Sequence, residues 1–247
     1  MGAPRRLAPA LRLFCLPYAG GSAATYVEWQ TLLPDDVEIC PVELPGRRSR
    51  WHEGAFSDME PLVDALVDAL AGELDRPYAL FGHSMGALVA FELARALRRT
   101  GLSQPRTLFV SAGHAPQLPQ LHAPIHDQSD EQVVARLRAM GGLTDEICSE
   151  PELLDLLLPF IRADFTVVET YRYRAEPPLA CPIVAFAGAE DQEVPPSRMD
   201  AWEEQTAMRF AKEIVPGGHF FLRESWPQLV EMIRGALRPA EGRESQW

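Results

Sequence analysis

The chain has 247 residues, 47% of them apolar and 23% charged, with a formal charge of −12 and an isoelectric point near 5.0. That mixture is globular, and a body of this length buries a substantial core without disulfides or metals. The acidity argues against nucleic-acid binding, which needs a basic face, and no apolar run approaches the ~20 residues of a membrane span.

At the start of the chain, Arg5 and Arg6 precede an apolar segment. Arg12 interrupts it, and no small-residue cleavage site follows, so it does not read as a signal peptide. Met1-Gly2 lacks the Ser or Thr that N-myristoylation requires at the sixth position. The cysteines Cys15, Cys40, Cys148 and Cys181 form no C-x-x-C pair, and three lie inside apolar runs. They read as reduced packing residues, and a cytoplasmic location is expected.

Six short apolar runs follow one another: LRLFCLP (11–17), VEICPVEL (37–44), YALFGH (78–83), TLFVSAG (107–113), PIVAFAG (182–188) and RFAKEIV (209–215). Gly, Pro or Asp bounds each, as in strands buried on both faces. Between them, 58–74 repeats apolar residues at spacings of three and four. Further helices are expected over Ala87 to Arg99, Ser197 to Met208 and Trp226 to Leu237. The alternation specifies an α/β fold, a mostly parallel sheet with helices on both faces, in one domain spanning 1–247. The stretch 117–178 breaks the rhythm. It holds no convincing strand, and EQVVARLRAM (131–140) and 151–171 read as helices. We read 117–178 as a helical lid insertion over an active site, with a purely structural cap as the alternative. The tail after Pro239 is short and polar, and a loose end is expected there.

Gly82-His83-Ser84-Met85-Gly86 is a G-x-S-x-G sequence, which chance alone supplies in roughly one chain in ten of this length. Its setting carries more weight: a strand enters it and a helix leaves it, the context of a nucleophile elbow. A serine hydroxyl needs a base to take its proton. In α/β-hydrolases the chain order is serine, acid, histidine. Of six histidines, only His219, in the Gly-rich segment VPGGHFFL, follows every plausible acid. Asp191 comes just after PIVAFAG and is expected to orient the imidazole, with Glu190 the fallback. Some thioesterase domains place the acid after the preceding strand, but here that strand ends Gly113-His114-Ala115, with no carboxylate. The turn Leu16–Ala23 holds Gly20-Gly21 and suits an oxyanion hole, with the backbone N–H groups of Met85 and Ala19 as donors. A P-loop is not present, since its Lys and spacing are missing.

These segments closely resemble the type II thioesterases that accompany polyketide and nonribosomal peptide synthetases. The resemblance rests on LFCLPYAGGSA, VELPGRRSR, FGHSMGALVAFELAR, LRAMGG, LLLPFIRADFTVVETYRY, GAEDQEV and GGHFFL, which run nearly end to end. It implies the α/β-hydrolase fold, with nucleophile, acid and base at Ser84, Asp191 and His219 and oxyanion donors at Ala19 and Met85. It also implies an editing hydrolase that removes stalled acyl groups from the phosphopantetheine arm of acyl or peptidyl carrier protein domains, meeting them transiently. No metal and no cofactor of the enzyme's own are implied.

Carrier proteins of this kind are usually acidic, so an enzyme of charge −12 needs a local basic surface to meet one. Arg47, Arg48 and Arg50 follow the second strand and are candidates for that contact. The alternative is a solvated loop whose arginines pair with Glu43 or Glu53. In the lid, Met140, Leu143, Phe160 and Phe165 are candidates to line an acyl chamber. Competing readings are a small-molecule esterase or lipase, a chain-releasing thioesterase domain, an acyltransferase, and a hydrolase fold used only for binding. The last has no need of a complete triad. Nothing reads as a dedicated interface, and a monomer is expected.

Overall fold

The computed structural model describes residues 9–237. The Arg5-Arg6 start and the polar tail after Pro239 lie outside them. Six strands form one sheet: β1 (Leu11–Leu16), β2 (Val37–Pro41), β3 (Tyr78–His83), β4 (Leu108–Ser111), β5 (Ile183–Gly188) and β6 (Phe210–Val215). Their spatial order is β2-β1-β3-β4-β5-β6, and every pairing is parallel. All strand C-termini therefore open on one edge, where crossover loops gather chemistry in such sheets.

Each strand divides its residues between two cores, because successive side chains point to opposite faces. Phe14, Leu16, Tyr78, Leu80, Leu108 and Val110 face one layer, built by α1 (Met59–Leu70) and α2 (Met85–Arg99). Leu13, Cys15, Ala79, Phe81, Phe109 and Phe186 face the other, where the 3₁₀ segment Ala23–Thr31 supplies Tyr26 and Trp29. A terminal helix pair covers the same face. α1 follows its sequence pattern closely: Met59, Leu62, Val63, Leu66, Val67 and Leu70 are buried, and the Asp58 side chain caps the Glu60 N–H.

Among the described residues the insertion carries α3 (Asp130–Ala139), α4 (Asp145–Cys148) and α5 (Pro151–Glu169), and no strand. A capping box of Ser129 and Gln132 starts α3. Val133, Leu137, Leu158, Phe160 and Ile161 form a small core of their own between α3 and α5. The chain closes with α6 (Phe221–Glu224) and α7 (Trp226–Leu237).

Two elements differ from the sequence expectation. The helix expected over Ser197–Met208 is a 3₁₀ segment, Pro196–Gln205. Its buried residues, Met199, Trp202 and Gln205, recur every third position, which aligns them in a helix of three residues per turn but not of 3.6. β6 is not buried on both faces. It is an edge strand, exposed at Glu213 and Ile214, and its Lys212 pairs with Asp200 at 2.5 Å. Charged residues on an edge discourage a further strand from adding there. Among the described residues no helix is long and apolar enough to cross a membrane.

Candidate active site

β3 runs into α2 through a single residue, Ser84, whose φ of +53° and ψ of −116° lie outside the usual regions. A non-glycine residue holds such a conformation only where its surroundings enforce it. Here the Ser84 N–H donates to the Ser111 carbonyl at 2.7 Å, and the Ala87 N–H donates to the Ser84 carbonyl at 3.0 Å. The flanking glycines are required by contact. A Cβ on Gly82 would lie 1.9 Å from the Gly86 carbonyl oxygen, and one on Gly86 would lie 2.3 Å from that of Leu16. The elbow is closed so tightly that only hydrogen fits, and the Ser84 side chain is pushed to the C-terminal edge of the sheet.

The loops after β5 and β6 deliver the other two groups to the same edge. His219 Nε2 lies 3.0 Å from Ser84 Oγ, and His219 Nδ1 lies 3.0 Å from Asp191 Oδ2. Asp191 Oδ1 accepts from the Glu193 and Val194 N–H groups at 2.8 and 3.0 Å, which holds the carboxylate toward the imidazole. A carboxylate on Nδ1 requires a proton there, which leaves Nε2 free to accept from the serine hydroxyl. Asp191 and His219 are buried. Glu190, the fallback acid, accepts instead from the Gly217 N–H at 2.6 Å and braces the histidine loop from its far side.

Met85 is the first residue of α2, so its N–H is one of the unpaired donors at the positive end of the helix. The loop after β1 comes close, since the Leu16 and Pro17 carbonyls crowd the Cβ position of Gly86. In that loop Gly20 N–H donates to Asp164 and Gly21 N–H to the Tyr18 carbonyl. Ala19 N–H has no such partner among the described residues.

Above Ser84 and His219 lies a cavity of about 460 Å³, within the size range of small-molecule sites. Met85 and Leu88 line its floor, and Met140 and Phe165 of the insertion line its roof. Phe160, the other aromatic expected there, lines no part of it. Its ring packs in the insertion's own core, 6.2 Å from Trp51 and 5.6 Å beneath the Arg47 guanidinium.

Arg47 also departs from its expected role as a carrier contact. It is 3% exposed and forms a two-pronged ion pair with Asp164 of α5, at 2.8 and 3.0 Å. A guanidinium enclosed in this way has no face left for a partner protein. Burial pushes the Asp164 carboxyl up from its ordinary value, against the pull of Arg47. Arg48 points outward, its side chain 55% exposed and 3.8 Å from Glu43, while Arg50 pairs with Glu53 at 2.5 Å.

Three further side chains were not singled out from the sequence. His83, the residue before Ser84, is fully buried, with Nε2 2.9 Å from the His219 carbonyl and Nδ1 2.9 Å from Ser111 Oγ. A carbonyl only accepts, so Nε2 carries the proton and Ser111 donates to Nδ1. Burial, with His219 second, holds the His83 pKa well below its ordinary value. Arg223 stacks 4.3 Å from the Phe220 ring and donates to the Gly141 and Gly142 carbonyls, and so ties the insertion to the histidine loop. Asp164 was passed over as an ordinary helix residue. The one signal for it was a lone carboxylate among the apolar residues of α5, with Arg47 far away in sequence.

Comparison with known proteins gives the family and the fold. The thioesterase-domain family matches residues 11–237. The gramicidin S biosynthesis protein GrsT of Aneurinibacillus migulanus is 40% identical over 231 residues, 94% of this chain and 90% of that protein. The solved structure of RedJ, a thioesterase of the prodiginine pathway in Streptomyces coelicolor, is 42% identical with a TM-score of 0.90, covering 96% of this chain and 94% of that one. BorB, a type II thioesterase from the borrelidin cluster, is 39% identical with a TM-score of 0.85, covering 95% and 97%. This chain belongs to the thioesterase family, as a serine hydrolase of the α/β-hydrolase fold that cleaves acyl thioesters.

Proposed function

We propose that this chain is an editing, type II thioesterase, which frees carrier proteins of a polyketide or nonribosomal peptide synthetase from stalled acyl groups. The observation that carries the chemistry is the hydrogen-bonded line from Ser84 through His219 to Asp191, 3.0 Å at each step, beneath a cavity roofed by the insertion. The type II thioesterases among its relatives support the biological role.

Ser84 Oγ attacks the thioester carbonyl while His219 Nε2 takes its proton, and Asp191 stabilises the imidazolium. The oxyanion is held by the N–H groups of Met85 and Ala19, with the positive end of α2 behind Met85. The carbon–sulfur bond then breaks. A thiol of pKa about 8.5 leaves readily as thiolate and then takes the proton from His219, which restores the neutral base, and no cofactor of the enzyme's own is needed. Water then attacks acyl-Ser84 while His219 takes its proton, and that proton passes to Ser84 Oγ as the carboxylic acid departs. The insertion serves as the lid of this chamber. The carrier delivers its phosphopantetheine arm transiently to a cytoplasmic, monomeric enzyme.

The test is to load a carrier protein with a short acyl-phosphopantetheine and follow release by intact mass. Wild type is expected to release the acyl group, and Ser84→Ala to be slower by roughly 10³-fold or more. Small oxygen esters cleaved while the loaded carrier stays intact would replace the editing role with that of a general esterase.

A further inference from the structure

The Arg47–Asp164 pair is not only a fastening for the insertion, because it grips the turn that carries the second oxyanion donor. Asp164 Oδ2 accepts from the Gly20 N–H at 2.8 Å, and Arg47 Nη1 donates to the Gly21 carbonyl at 2.9 Å. The two residues also hold each other through two hydrogen bonds, with both side chains 4% exposed. Between these grips the Gly21 N–H donates to the Tyr18 carbonyl at 2.8 Å. That carbonyl and the Ala19 N–H belong to one planar trans peptide and so point in opposite directions. Fixing the Tyr18 carbonyl fixes the aim of the Ala19 N–H.

Contacts on both sides leave the turn little freedom. Toward the nucleophile, the Leu16 and Pro17 carbonyls pack on Gly86. Toward the insertion, the Cβ position of Gly20 lies 3.0 Å from Ile161 Cγ1, one helical turn before Asp164 on the same face of α5. Asp164 is thus the point at which α5 touches the oxyanion turn by a charged hydrogen bond, shorter in reach and stronger than a neutral one.

We infer that Asp164, braced by Arg47, is a positioning residue for the oxyanion hole, so that the Ala19 N–H is aimed correctly only while α5 is seated on the turn. The inference rests on the serine-nucleophile reading above. It makes seating of the insertion a condition for turnover as well as for enclosing the acyl chain. Neither residue touches substrate. Their effect passes through the Gly20 and Gly21 peptides.

The experiment compares three variants on a small soluble thioester, such as an acyl N-acetylcysteamine, alongside wild type and Ser84→Ala. In Arg47→Met/Asp164→Leu both charges go together, so no lone charge is buried and the fold is kept, but the Gly20 N–H loses its acceptor. Its kcat is expected to fall by roughly 10-fold or more, with KM within about threefold. Arg47→Met/Asp164→Asn likewise leaves no lone charge but keeps an acceptor for Gly20, and is expected to recover most of the rate. Asp130→Asn alters the insertion's charge away from the turn and is expected to match wild type.

The decisive readout is inhibition by an alkyl trifluoromethyl ketone, whose adduct with Ser84 places an oxyanion in the hole. Its affinity is expected to weaken in proportion to kcat/KM across the series. A folded double variant with wild-type kcat would overturn the inference, as would a loss of kcat with unchanged inhibitor affinity. Turnover by Ser84→Ala would instead overturn the nucleophile assignment itself.

Discussion

At the scale of single residues, the site depends on atoms that are missing as much as on those present. Gly86→Ala would drive a methyl into the Leu16 carbonyl, at 2.3 Å, and shift the elbow against the oxyanion turn. A misplacement of about 1 Å near reacting groups costs on the order of 10²-fold in rate. Gly86→Ala is accordingly expected to lose that much kcat/KM on a soluble thioester, while circular dichroism stays native. His83 makes a different demand. Its pKa in the folded protein is depressed well below the ordinary 6.5, chiefly by burial, so the unfolded chain takes up a proton near pH 6.5 that the folded chain refuses. Stability is then present above that pH and lost as pH falls through it. As pH falls from 7.5 to 5.5 this one group therefore takes stability away from the folded chain. Urea melts at the two pH values should differ less in His83→Gln than in wild type. Equal differences would show that His83 is not the group that titrates.

At the scale of elements, the insertion is a small helical layer with its own core, and separate ties hold it to the sheet. Arg47–Asp164 secures α5, the pair Arg136 with Glu193 secures α3, and Arg223 holds the Gly141-Gly142 turn that follows α3. Glu193 lies two residues beyond Asp191, so the α3 tie ends in the loop that carries Asp191. Phe165 and Met140 of this layer line the cavity, with Met85 and Leu88 of α2, and we propose that the layer selects chain length. Phe165→Trp shortens the chamber. It is expected to lower kcat/KM for long acyl thioesters relative to short ones by about 10-fold or more, the worth of one or two displaced methylenes. A ratio unchanged across chain lengths would assign selection elsewhere. The 3₁₀ segment Pro196–Gln205 belongs to the same scale. Trp202 is fully buried there and donates to the Gly113 carbonyl at 2.6 Å, joining this segment to the loop after β4.

At the scale of the whole molecule, two apolar layers on one parallel sheet supply the stability, and the site rests on the sheet's edge. Trp29 is 1% exposed and packs 5.0 Å from both the Tyr26 and Phe81 rings, in the opposite layer to α2. Trp29→Ala is expected to cost about 3–5 kcal/mol in urea unfolding, with kcat on a soluble thioester kept at temperatures where the variant stays folded. The charge of −12 acts at this scale too, by repelling an acidic partner over the Debye length. Among the three arginines of LPGRRSR, Arg48 has the most exposed side chain, 55% against 40% for Arg50, and it is the one we propose for a carrier contact. Arg48→Glu is expected to raise KM several-fold for carrier-bound substrate, most at low salt, and to leave a soluble thioester unaffected. Equal KM values on the carrier substrate would remove Arg48 from the docking surface.

Much of this was legible in the chain itself. Alternating strands and helices, the glycine-flanked serine between a strand and a helix, and the order of serine, acid and histidine are local or topological signals. They survive without knowledge of contacts, because a parallel sheet brings its strand ends to one edge whatever packs around them. What the sequence could not decide was which charges are buried and against what. Arg47 reads as a surface residue in LPGRRSR, yet it lies against Asp164, 117 positions further on. Phe160 and Phe165 read alike on an amphipathic helix, yet Phe160 is buried in the insertion's core and only Phe165 also lines the cavity. The pairing of distant ionic groups and the direction each helix face takes depend on how layers are stacked, and only the tertiary structure sets them.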